Sequence, residues 1–274
     1  MAADLTTPLR RWRDGGWADD AAPAAPTPEE AAVAIVIDGA SQAVLMATPH
    51  ELEDFATGFA LTEGLIATPA DITGFEEVAV APDAPGLGPL PAVEARLWLR
   101  PGLAAGLAER RRAMVGPVGC GLCGVDSIAA ALPAVRPVAS KARFSPQDAL
   151  AAMEALSAGQ RRWRDTPSIH AAGLWWPGGS LVREDVGRHN ALDKLAGAAA
   201  RAGIGADAGI VAMTSRLSVD LVQKAARMGA PVLIGAGVPT RLAAAWAQAS
   251  GITLIGRARG GSFDLYTHPY RIEP

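Results

Sequence analysis

Both cysteines of this chain of 274 residues fall in one short run, Gly119-Cys120-Gly121-Leu122-Cys123-Gly124. Its three glycines give the thiols little steric cover and the backbone wide freedom, which suits a loop that another molecule approaches closely. The stretch from Val125 to Leu132 can be helical, with Asp126 near its start. Cys123 is then close to a helix N-terminus, where the dipole favours a thiolate, and Cys120 is the more exposed of the two. A thiolate can attack the outer sulfur of a donor persulfide and later present that sulfur to an acceptor. The same spacing also serves a reversible dithiol pair, half of a zinc site, or two inert thiols in a turn, and the loop alone leaves these readings open. Zinc fits the order of residues poorly. The deaminase arrangement has His-x-Glu ahead of Pro-Cys-x-x-Cys, whereas His50 is followed directly by Glu51 and His170 by two alanines. No permanent metal is expected.

Two further groups of residues have the chemistry of a binding site. Arg183-Glu184-Asp185-Val186-Gly187-Arg188-His189-Asn190 concentrates hydrogen-bonding side chains ahead of an apolar helix with Ala191, Leu192 and Leu195. That density suits a ligand, and equally a solvated turn between strand and helix; His189 is a candidate proton donor or acceptor. The second group is spread over three loops: Thr214-Ser215-Arg216, Gly235-Ala236-Gly237, and Arg257-Ala258-Arg259-Gly260-Gly261-Ser262. Backbone N–H groups at the glycine turns, with Arg216, Arg257 and Arg259, would cradle a pyrophosphate. The alternative is arginines on a wet rim and glycines serving tight turns.

These loops can meet only if the surrounding elements bring them together. Ile210 to Thr214, Val232 to Gly235 and Ile252 to Gly256 are short apolar runs, separated by helical patterns over about 216 to 228 and 240 to 250 that end at Gly229 and Gly251. That is a β-α-β-α-β series. Right-handed crossovers make its strands parallel, so their carboxyl ends open on one edge of the sheet, the expected ligand edge. Upstream, Ala171 to Trp176 and Leu181 to Glu184 predict a hairpin around Pro177-Gly178-Gly179, and Ser145-Pro146-Gln147-Asp148 opens a helix ending near Gly159.

The first half reads as α+β. Val33 to Ile37 and Ala43 to Ala47 flank an Asp38-Gly39 turn. Thr48-Pro49-His50-Glu51 has the form of an N-cap with a capping box, followed by a helix to about Glu63, and Val93 to Leu99 alternates as a half-buried strand. Residues 1–28 form an expected flexible tail, 29–135 an N-terminal subdomain ending in the cysteine loop, and 136–274 a C-terminal α/β subdomain. The chain is half apolar, enough for a buried core, and its net charge of -3 gives no pull toward nucleic acid. No apolar run nears the roughly 20 residues that cross a bilayer, and no signal segment is evident, so a cytoplasmic protein is expected.

Taken together, these segments resemble the FdhD family of formate dehydrogenase accessory sulfur carriers. The resemblance rests on Leu52-Glu53-Asp54-Phe55-Ala56-Thr57-Gly58-Phe59 with Thr62-Glu63-Gly64, the cysteine loop, Glu184 to Lys194, Val222-Gln223-Lys224-Ala225-Ala226, Thr253 to Gly256 and Tyr266-Thr267-His268-Pro269. It implies a cytidine deaminase-like α/β fold with a mixed or parallel sheet and flanking helices, in a homodimer. It also implies that a cysteine desulfurase loads sulfur onto Cys120, with Cys123 assisting or sharing the sulfur. The acceptor would be the molybdenum bis(molybdopterin guanine dinucleotide) cofactor, before its insertion into formate dehydrogenase. By the resemblance Arg257 to Ser262 would bind that cofactor, and the loop reading above adds Ser215 and Arg216 beside it. The family often has a Lys-Pro-Gly-Arg-like sequence in this loop, where this chain has Arg259-Gly260-Gly261-Ser262. A chaperone that binds the cofactor without sulfurating it, and a metal-dependent hydrolase or deaminase, are the competing readings.

Overall fold

Asp38 and Gly39, both at positive φ (47° and 76°), close a tight hairpin between β1 (Ala31–Ile37) and β2 (Ala40–Ala47). In this computed structural model, residues 11–18, 27–84, 88–103, 134–135 and 137–273 are described. Two further strands, β3 (Ile72–Val80) and β4 (Ala92–Leu99), complete a four-stranded sheet in the order β2-β1-β4-β3. β1 and β4 run parallel, and the outer pairs are antiparallel. Helix α1 (Leu52–Thr62) lies on one face, packing Leu52, Phe55, Ala56 and Phe59 against Val33, Ile35, Ile37, Ala95 and Leu97. Within the expected tail, residues 11–13 and 16–18 pair as a short hairpin, with the Trp12 and Trp17 rings edge to face.

The expected start of α1 at Thr48-Pro49 is not observed. The helix begins at Leu52, capped by Glu51 at φ 50° without a capping side chain. Thr48 is engaged elsewhere: its N–H donates to Asp185, its hydroxyl accepts from the Val186 N–H, and its carbonyl accepts from Lys194. Tertiary partners outbid the local cap.

The second half begins with α2 (Pro146–Gly159), whose Ser145 and Asp148 form the expected reciprocal cap. After the single-turn α3 (Arg162–Asp165) come β5 (His170–Trp176), β6 (Gly179–Asp185), α4 (Arg188–Arg201), β7 (Ile210–Met213), α5 (Val219–Arg227), β8 (Val232–Gly235), α6 (Arg241–Ser250), β9 (Thr253–Arg259) and β10 (Ser262–Leu265). They form a six-stranded sheet in the order β6-β5-β7-β8-β9-β10. β7, β8 and β9 are parallel, as the β-α-β-α-β reading requires, while β5, β6 and β10 add antiparallel flanks. β7 and β8 are wholly buried, as central strands covered on both faces should be. One face is covered by apolar residues of α4, α5 and α6, and the other by α2 through Ala149, Ala152 and Leu156.

β9 runs beyond the predicted end at Gly256. Arg257 adopts φ 52° and the register shifts between Gly256 and Arg259, so the bulged strand resumes pairing with β10. The predicted open loop is therefore mostly a hairpin, turned by Gly260 and Gly261 at φ 58° and 77°.

The two halves meet where α1 crosses α4. Gly58 and Gly197 bring the backbones together: a Cβ on Gly58 would lie 1.7 Å from the Asp193 carbonyl oxygen, and one on Gly197 1.9 Å from that of Asp54. α1 thus has its own sheet on one side and the second half's helical layer on the other.

Candidate functional site

The three predicted loops converge at the carboxyl edge of β7, β8 and β9. Gly237 donates its N–H to the Ser215 carbonyl (3.3 Å), and Arg257 donates to the Gly237 carbonyl (3.1 Å). The approach is close enough that a Cβ on Gly237 would meet the Arg216 Cα at 2.8 Å. Arg216, Arg257 and Arg259 are exposed on this edge. Arg257 pairs with Asp264 at 3.0 Å, in the open, where such a pair contributes little and leaves the guanidinium available. Ser215 and Ala258 face inward. Ser215 is buried, its hydroxyl donating to the Arg216 carbonyl, and the Ala258 side chain sits in the core beneath α2. Gly260 and Gly261 form the exposed hairpin tip, and the Ser262 hydroxyl donates back to the Arg259 carbonyl. Cys120 and Cys123 lie outside the described residues, as does the predicted helix after them.

The polar run from Arg183 to Asn190 separates into two sets. Most of it is structural. Arg183 holds Asp54 of α1 (2.7 Å), and the Glu184 carboxylate accepts from the N–H groups of Arg161, Arg162 and Trp163 at the start of α3 (2.8 to 2.9 Å). Asp185 is fully buried and meets four donors: the Lys194 ammonium (2.7 Å), the N–H groups of Thr48 and Gly187, and the Asn190 amide. Lys194 also donates to the Thr48 carbonyl, so this ion pair ties the end of β2 to α4. A second buried pair joins α4 to α5. Lys224 bonds both oxygens of Asp193 (2.9 and 3.0 Å), the Thr62 hydroxyl and Glu63. Burial alone would lower the Lys224 pKa, but the carboxylates of Asp193 and Glu63 outweigh it and hold the ammonium protonated. Burial raises the Asp193 pKa, and Lys224 opposes that shift.

The other set is Arg188 and His189, which begin α4 and point into a cluster at the same sheet edge. His170, the first residue of β5, lies 3.5 Å from the Thr214 hydroxyl, which accepts the Ala171 N–H. His189 pairs through Nε2 with Asp220 of α5. Burial, then Arg188, lowers the His170 pKa. Burial is also the main cause at His189, bringing it to about 4, with Arg188, Lys224 and His170 adding and Asp220 opposing. Both imidazoles are thus neutral at pH 7. His170 and Asp220 escaped sequence reasoning because only the sheet brings them to His189. The available signal was His170 directly ahead of the predicted strand from Ala171, with Thr214 ending the next one.

The His189 shift carries a sign. An unfolded histidine takes its proton near pH 6.5 and the folded one near 4, so stability is full above about pH 6.5 and falls as pH drops through that window. The loss is on the order of 3 kcal/mol from this residue. Urea titration should give a lower midpoint at pH 5 than at pH 7, and His189→Gln should flatten the difference; equal midpoints for the parent chain would contradict the assignment. The substitution isolates the imidazole, because the raised Asp193 acts in the opposite sense at lower pH.

Comparison with known proteins agrees with this architecture. The FdhD/NarQ family profile matches residues 28–273. The chain is 47% identical over 248 residues to the sulfur carrier protein FdhD of Agrobacterium fabrum, covering 89% of this chain and 88% of that one. It is 46% identical to the protein of the same name from Brucella abortus, over 89% of each. The fold is similar to a crystal structure from Desulfotalea psychrophila described as a formate dehydrogenase accessory protein, with a TM-score of 0.69 over 96% of both chains at 23% identity.

Proposed function

The chain belongs to the FdhD/NarQ family, and from that premise we propose that it is a cytoplasmic sulfur carrier serving formate dehydrogenase. Cys120 takes sulfur from a cysteine desulfurase and delivers it to the molybdenum bis(molybdopterin guanine dinucleotide) cofactor as substrate. One observation carries the reading: the chain has two cysteines, both in the glycine-flanked loop, so any sulfur it carries as a persulfide must be on Cys120 or Cys123. In loading, the Cys120 thiolate attacks the outer sulfur of the desulfurase persulfide. The donor S–S bond breaks, and the desulfurase cysteine leaves with the electron pair as a thiolate. In delivery, the Cys123 thiolate attacks the Cys120 sulfur and forms a disulfide. The outer sulfur leaves as sulfide, the form a molybdenum ligand needs, and a cellular dithiol then returns both cysteines to thiols. Arg216, Arg257 and Arg259, with the backbone of Gly260 and Gly261, suit the pyrophosphate of the guanylated cofactor, since arginine forks match phosphate oxygens.

The test is intact-protein mass after incubation with a desulfurase and cysteine in the absence of reductant. One added sulfur atom is expected, lost in Cys120→Ala and retained at least in part in Cys123→Ala. No added sulfur on the parent chain, or an undiminished adduct in Cys120→Ala, would overturn the assignment. A second reading, a chaperone that binds the cofactor without sulfurating it, is favoured by the strand edge, whose arginines work without a thiol. Full restoration of formate dehydrogenase by a cysteine-free variant in a deletion strain would select it.

A further inference from the structure

We propose that Arg188, with His170, His189 and the start of α5 around it, forms a binding site for a phosphate-class anion separate from the β9–β10 hairpin. The first observation is an arginine without an acceptor. Arg188 is largely covered and its Nε is sealed from solvent, yet among the described residues its guanidinium meets no hydrogen-bond partner. By contrast, the Arg183 guanidinium holds Asp54, and that of Arg271, although its Nε is also unpaired, donates through its other two nitrogens to the carbonyls of Gly251 and Ser140. A buried N–H donor left unpaired is costly, and more so on a charged group, so the missing acceptor calls for a ligand.

The surrounding carboxylates do not supply it. Asp185 already accepts from four donors, and Asp220, whose Oδ2 lies against His189 Nε2, makes no hydrogen bond to Arg188 among the described residues. The second observation is independent of Arg188. The Ser218 hydroxyl, at the N-cap of α5, is likewise buried without a partner, and it caps no backbone N–H there. Gly187, the N-cap of α4, has no side chain to cap with, so the first turn of that fourteen-residue helix also has donors to offer. Arg188, Ser218 and the N–H groups of this turn are all donors, and an oxyanion with several acceptor oxygens is the chemistry that satisfies them together. The cluster lies on the sheet edge that carries Ser215 and Arg216, because His170 starts β5 beside the end of β7. In the sulfur-carrier reading, on which its biological meaning rests, the site adds a second contact for the phosphates of the acceptor.

Inorganic pyrophosphate is the probe, titrated into the full chain while the imidazole proton resonances of His170 and His189, identified with His→Gln variants, are followed by NMR. Saturable shifts of both imidazoles are expected. Arg188→Gln should weaken binding roughly tenfold or more, Arg188→Lys should retain part of it, and the Arg257→Gln/Arg259→Gln double variant should leave both shifts in place. Unmoved imidazoles, unchanged affinity in Arg188→Gln, or shifts lost only in the double variant would each overturn the site. If Arg188→Gln fails to fold by circular dichroism, the parent chain and the double variant still decide the question. The protein is titrated without sulfur on it, so this failure is distinguishable from a failure to load Cys120.

Discussion

Lys194→Met should destabilise the protein by about 3–5 kcal/mol. Lys194 and Asp185 are both fully buried, 2.7 Å apart. Methionine fills much the same space as the lysine stem, so the change removes the charge and leaves the Asp185 carboxylate facing only neutral donors. Forming the pair contributes little net stability because both ions lose their hydration; breaking it on one side strands a charge. The effect is read as the shift in the urea midpoint at constant slope. Adding Asp185→Asn should recover part of the loss, since the stranded charge disappears while hydrogen bonding to Thr48 and Gly187 persists in part. A single variant within about 1 kcal/mol of the parent would show that water or a neighbour compensates Asp185.

Gly58→Ala should destabilise by about 2–3 kcal/mol, against the usual helix preference. In an isolated helix alanine gains about 1 kcal/mol over glycine. Here the added methyl would lie 1.7 Å from the Asp193 carbonyl oxygen and 2.7 Å from the Gly197 nitrogen, which are backbone atoms and cannot rotate away. α1 and α4 would have to separate, loosening the packing of Phe55 and Phe59 as well as the Thr62 bond to Asp193. A thermal or urea unfolding curve at or above the parent's would show that the helices slide at little cost.

Much of this fold is legible in the residues themselves. Asp38-Gly39 and Pro177-Gly178-Gly179 turn hairpins, Ser145 and Asp148 cap α2, and Gly229 and Gly251 stand where positive φ ends two helices. The three apolar runs with glycine and arginine after them become parallel strands whose loops meet, because short crossovers leave few alternatives. What local pattern could not supply is whatever depends on a distant partner. Thr48 looks like a cap and instead serves Asp185, Val186 and Lys194; Arg257 looks like the start of a loop and instead sits in a bulge that lets β9 continue. Lys194 carried a signal of its own, since it falls on the helical stripe of Ala191, Leu195 and Ala198, all buried. A lysine on an apolar stripe needs a buried counter-charge, and the same reasoning points from Lys224, beside Leu221 and Ala225, to Asp193.

The seam between the halves also sets an order of events as the chain leaves the ribosome. Thr48 and Thr62 emerge early, but their lysine partners follow 146 and 162 residues later. The first sheet must therefore wait, with one flank of α1 bare, until α4 and α5 have been synthesised. At typical elongation rates that interval is on the order of ten seconds or more. Over that time the nascent N-terminal half leaves open to chaperones the flank of Asp54, Gly58 and Thr62 that the finished protein covers.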